Sequence, residues 1–115
     1  MQELSADTCR RMIDEGEVPE SIRTASEKVA VVLTQSWCPD WFVMRRYLDG
    51  LDEPGLTVYA IVYDRLENFT DVMAFKETVF SNALIPYVRY YRDGRLVAES
   101  NVVYLKKKFL KKFGR

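Results

Sequence analysis

The sequence predicts one α/β domain: a central mixed β-sheet of four or five strands, with helices on both faces. Three observations predict that class. Two short runs rich in β-branched and aromatic residues, at 28–33 and 56–63, read as buried strands. Around and between them, apolar residues recur at helical spacing, so helices and strands alternate along the chain. A last pair of extended runs, 87–91 and 96–102, is joined by Arg92-Asp93-Gly94-Arg95, a strong hairpin turn that adds an antiparallel pair to the sheet.

Taken in order, the first 27 residues read as helical. Ser5 is placed as an N-cap, Cys9, Met12 and Ile13 share one face, and Gly16 ends the helix. A second, shorter helix starts at Val18-Pro19-Glu20, where proline and an acidic first turn precede Ile22 and Ala25. After the strand at 28–34, Trp41, Met44, Leu48 and Leu51 mark a helix that Gly50 stops. The cluster Asp52-Glu53-Pro54-Gly55 is a turn, and 56–63 is the most apolar strand. A third long helix runs over 67–80, with Phe69, Val72, Met73, Val79 and Phe80 as its buried stripe and Asn82 closing it in the left-handed conformation. Ile85-Pro86 opens the strand at 87–91, in which Tyr87, Arg89 and Tyr91 alternate with Val88 and Tyr90, so that one set is a candidate outward face. A basic helix over 104–113 places Leu105, Phe109 and Phe113 on one stripe. The chain thus divides into an N-terminal helical segment at 1–27, a core at 28–103 and a basic C-terminal segment at 104–115, all within one domain.

Composition narrows the function. The 115 residues are 48% hydrophobic with a formal net charge of zero, as in an ordinary globular domain, and no apolar run is long enough to span a membrane. Two cysteines without a leader segment point to a reducing cytoplasm. The chain has no histidine, which excludes Ser-His and Cys-His hydrolases and the usual zinc sites, and no cofactor or metal is expected. The last ten residues carry six of the 17 basic residues and no acid. Read plainly, these are the solvated face of a terminal helix whose negative dipole end they complement; an anionic or nucleic-acid partner is the sharper reading.

The chemistry concentrates at Trp37-Cys38-Pro39-Asp40-Trp41, where a strand gives way to a helix. Pro39 suits the first helical turn, so Cys38 falls at the N-cap, with unpaired N–H groups and the positive end of the helix dipole directed at its sulfur. Thiols held in that position are nucleophilic. Asp40 in the same turn opposes this, because its charge repels a nearby thiolate. A small, buried and inert cysteine is the competing reading.

These residues, with Ile85-Pro86 and Asp93-Gly94 at their separations, resemble the thioredoxin superfamily over about residues 29–97. The local motif is similar to that of the thioredoxin-related group reading Trp-Cys-Pro-Asp-Cys, with Trp41 in place of the second cysteine. The resemblance implies a thioredoxin-like fold, here without the family's first strand because the N-terminal region reads as helical. It also implies a cis peptide bond at Pro86 beside Cys38, against the plainer alternative of a trans proline that opens an edge strand. Ile85 and Pro86 would then orient an extended partner chain, while Trp37 and Trp41 shape the contact surface. Trp41 is equally well placed as a core residue. Val32 occupies the position six residues before the cysteine where many thioredoxins carry a buried acid. Lacking a second motif cysteine, Cys38 would need an external thiol, or Cys9, to release a mixed disulfide; Cys9 lies on an apolar helix face and reads as core. A glutathione site of glutaredoxin type is not matched by Gln35-Ser36 or by Arg92-Asp93-Gly94-Arg95. The resulting expectation is monothiol thiol–disulfide chemistry on protein or peptide substrates, with a redox-inactive peptide-binding module as the alternative.

Overall fold

The computed structural model describes residues 1–114. Its elements are β1 (Gln2–Glu3), α1 (Ala6–Glu15), α2 (Glu20–Arg23), β2 (Lys28–Thr34), α3 (Pro39–Asp49), β3 (Leu56–Val62), α4 (Phe69–Thr78), β4 (Tyr87–Arg92), β5 (Arg95–Ser100) and α5 (Lys106–Lys111), with a single 3₁₀ turn at Tyr63–Arg65 after β3. The strands form one five-stranded sheet in the order β1-β3-β2-β4-β5. β3 is parallel to both β1 and β2, whereas β4 is antiparallel to β2 and β5.

The sheet divides the core into two layers because successive strand side chains point to opposite faces. On one face, Val29, Val31, Leu33, Tyr59 and Ile61 pack against Cys9 and Met12 of α1 and Val72 and Phe75 of α4. On the other, Ala30, Val32, Val58, Ala60 and Val62 pack against Trp41, Met44 and Leu48 of α3 and Phe109 of α5. Both central strands are buried on both faces, as their near-continuous apolar runs require.

Several expectations are corrected. The N-terminal segment does contain a first strand: Gln2 and Glu3 pair with Tyr59 and Ala60, and Leu4 N–H donates to the Ala60 carbonyl at 2.9 Å. Both residues are exposed, so this strand has no hydrophobic alternation to announce it. The left-handed residue after α4 is Ser81 (φ 56°), not Asn82, and Val79 is exposed while Phe75 and Lys76 take the buried positions. Leu105 is the exposed N-cap of α5 and stands off the buried stripe. Tyr87, Arg89 and Tyr91 do not form an outward face. They are buried under α1 and α4, where the Glu17 carboxylate accepts from the Tyr91 hydroxyl at 2.6 Å and from Arg89 Nη2 at 2.7 Å. The Arg89 guanidinium also lies 3.8 Å over the Phe80 ring. A buried cation is tolerable only with such partners.

Candidate functional site

Pro39 occupies the first turn of α3 and Cys38 is its N-cap, with φ −72° and ψ 119°. The Cys38 side chain makes no capping hydrogen bond. Its Sγ instead lies 3.9 Å from the Ile85 carbonyl oxygen, to which the thiol can donate. The Ile85–Pro86 peptide bond is cis. Two segments 47 residues apart are thereby brought together over the end of the sheet, where β2 leads into α3 and the loop after α4 leads into β4. Cys38 is 6% exposed.

The approach to Cys38 is held by a carboxylate. Asp64, in the 3₁₀ turn, accepts from the Ser36 amide at 2.8 Å and from the Ser36 hydroxyl at 2.6 Å. Partial burial works against the ionised form of Asp64, but the two hydrogen bonds from Ser36 outweigh it, and the carboxyl titrates below its ordinary value. Trp37 Nε1 donates to Gln35 Oε1 at 2.6 Å, and Gln35 Nε2 reaches the Tyr63 hydroxyl at 3.3 Å.

The opposite wall is held from behind. Lys76 is fully buried and donates from Nζ to the Asn82 carbonyl at 2.7 Å; burial lowers its pKa, with the Glu77 charge acting in the other direction. Asn82 Oδ1 accepts from Leu84 N–H at 3.0 Å and from Asn101 Nδ2 at 3.1 Å. Asn101 Nδ2 also donates to the Pro86 carbonyl at 3.1 Å. An ammonium and two amides thus fix the loop that carries Ile85 and Pro86. A third segment arrives from the C-terminus: the Tyr104 hydroxyl donates to Asp40 Oδ1 at 2.9 Å, and this bond to a carboxylate raises the phenol's pKa.

Of the residues singled out in the sequence, Cys38, Ile85 and Pro86 meet, Trp37 stands beside them 65% exposed, and Asp40 is engaged by Tyr104. Trp41 does not shape the surface; its side chain is 3% exposed and packs in the core with Met44 and Leu48. Cys9 is buried on the α1 face of the sheet whereas Cys38 belongs to the α3 face, so the sheet lies between the two thiols. Val32, fully buried in the same layer as Cys38, leaves no acid at that position. Asp64, Tyr63, Asn101, Lys76 and Tyr104 were not legible as site residues. They sit in three separate stretches of chain, and only the fold brings their polar atoms to the ends of β2 and β4.

No family model matches the chain, and no curated protein matches it. Solved structures do. Trxlp from Edwardsiella tarda superposes with a TM-score of 0.65 at 18% identity, covering 100% of both chains. Thioredoxin O1 from Arabidopsis thaliana gives 0.66 at 14% identity over 97% of this chain and 96% of its own. Glutaredoxin C1 from Populus tremula x tremuloides gives 0.55 at 9% identity over 90% of each. At such identities the likeness speaks to the backbone alone, and with the strand order above it shows that this chain adopts the thioredoxin-superfamily fold.

Proposed function

We propose that the protein carries out thiol–disulfide exchange on protein or peptide substrates through Cys38 alone. The observation that carries this reading is the Cys38 sulfur at the N-cap of α3, 3.9 Å from the Ile85 carbonyl that precedes Pro86. The Cys38 thiolate attacks one sulfur of a substrate disulfide. A Cys38–substrate disulfide forms, and the other substrate sulfur leaves as a thiolate. An external low-molecular-weight thiol, as its thiolate, then attacks the substrate sulfur of the mixed disulfide and returns Cys38 to the thiolate form. External release follows from the placement of Cys9, which is screened from Cys38 by the sheet. Ile85 and Pro86 present backbone to the partner segment, and the exposed Trp37 ring forms a wall. Pro39 and Asp40 set the start of α3, and a reducing cytoplasmic setting supplies the external thiol.

The second reading, a redox-inactive binding module built on the same surface, is favoured by the low exposure of Cys38 among exposed apolar neighbours. Trp37, Phe42 and Leu84 are 65%, 66% and 63% exposed. Reduction of insulin by dithiothreitol, with and without the protein and with Cys38→Ser, separates the two. Acceleration by the wild type, absent in the variant, supports exchange; equal rates for both proteins leave the binding module.

A further inference from the structure

Resting on that exchange reading, we infer that its substrate is a polypeptide with acidic residues interspersed with apolar ones beside the reacting cysteine. The acidic stretch would be received by a groove at the C-terminal end of the fold. The groove has a volume of about 550 Å³. Val102, Tyr104 and Leu105 form its apolar side, and Lys108, Lys111 and Lys112 rim it. Tyr104 and Leu105 are 56% and 58% exposed, so apolar surface is open there to a partner. The groove adjoins the reactive end of the molecule, because the Tyr104 hydroxyl is bonded to Asp40, two residues after Cys38.

Charge identifies the occupant. The lysines of α5 form no ion pair among the described residues, although seven other ion pairs occur there. Lys108 and Lys111 lie in the last turn of α5 and Lys112 at its C-cap, where they also complement the helix dipole. Lys106 and Lys107 open the helix, whose first turn has no acid. Lys108 stands three and four residues before Lys111 and Lys112, a spacing at which like charges repel, and such local conflict is expected where a surface serves binding. An anionic partner removes the conflict. The first 105 residues carry 11 bases against 17 acids, so the basic patch is local and the rest of the surface repels a long polyanion. An apolar groove near a thiol suits a cysteine-bearing acidic peptide better than a nucleic acid, which carries no sulfur for Cys38 to exchange with.

The test uses the full chain and fluorescence anisotropy with a labelled peptide alternating glutamate and leucine around a central serine, which cannot exchange. We expect binding about tenfold tighter than for the same peptide with lysine in place of glutamate. That preference should vanish in Lys108→Glu/Lys111→Glu/Lys112→Glu and shrink on wild type at roughly 0.5 M salt, an arm that does not depend on the variant folding. Equal affinity for the two peptides, or tighter binding of a single-stranded oligonucleotide than of the acidic peptide, overturns the inference. A parallel rate measurement uses the same two peptides with a central cysteine activated by thionitrobenzoate. No release above the Cys38→Ser background from either peptide defeats the exchange reading, while the anisotropy result still decides the groove.

Discussion

Asp64 shows how much of the site depends on one side chain outside the motif. Its two oxygens hold both polar groups of Ser36, two residues before Cys38. Asp64→Ala should loosen that turn, costing about 1 kcal/mol and raising amide exchange at Ser36 and Trp37 in hydrogen-exchange experiments. The sign of its pH dependence follows from the lowered carboxyl. The contribution is complete above the ordinary value of 3.8 and is lost as pH falls below it toward the folded value. The stability difference between wild type and Asp64→Asn, measured by urea titration, should therefore narrow below about pH 4. Asn101 is the equivalent point on the other wall. Asn101→Ala leaves the Pro86 carbonyl and Asn82 Oδ1 each without one donor, and should cost roughly 1–2 kcal/mol. Motif reading located Cys38, Pro39, Ile85 and Pro86 because their meaning is local. It could not locate Asp64 or Asn101, since an aspartate after a strand and an asparagine after a hairpin have no meaning until the chain is folded.

Among the elements, the hairpin between β4 and β5 was the most legible. Asp93 and Gly94 both take positive φ, 52° and 79°, as a tight two-residue turn demands. A side chain at Gly94 would meet a second obstacle, because its Cβ would stand 2.9 Å from Thr24 Cγ2. The same turn is tied back by Arg23 Nη1 donating to the Gly94 carbonyl at 2.6 Å. Gly94→Ala should destabilise by at least about 1 kcal/mol and lower the thermal midpoint by several degrees. The short elements were harder to read for a common reason. β1 has two residues, both exposed, and its stability comes from the edge of β3 rather than from its own composition. In α5, the spacing that placed Leu105 on the buried stripe failed because the helix starts two residues later than expected, at Lys106, with Leu105 in an extended N-cap. Periodicity assigns faces reliably only after the first residue of a helix is known.

For the whole molecule, a prediction follows from how many weak acids the two core layers enclose. Burial raises the pKa of Cys9 to about 11 and that of Tyr90 to about 12, with the hydrogen bond between Tyr90 and Ser100 opposing the latter. Tyr47, Tyr87 and Tyr91 are raised as well, burial being the largest cause in each. A group whose folded pKa lies above its unfolded value contributes stability that is whole below the unfolded value and is lost as pH rises through the folded one. Stability should hold to about pH 9 and then decline, at about 1.4 kcal/mol per pH unit for each group between its two values. Urea midpoints from pH 8 to 11 would show this, and Tyr90→Phe should flatten the curve above pH 10. The alternation of helices and strands revealed the mixed sheet and its two covered faces. The face to which each cysteine belongs was not readable, because it depends on how α1 and α3 cross the sheet.

That separation of the two sulfurs has a stoichiometric consequence. A dithiol protein can give up two electrons within one molecule by closing a disulfide, whereas here the sheet keeps the two thiols from closing one. Any disulfide made by Cys38 in the folded chain must therefore be an adduct. On intact-mass analysis without reductant, its signature is a gain equal to the attached thiol less two hydrogens, never the bare two-hydrogen loss of a closed ring.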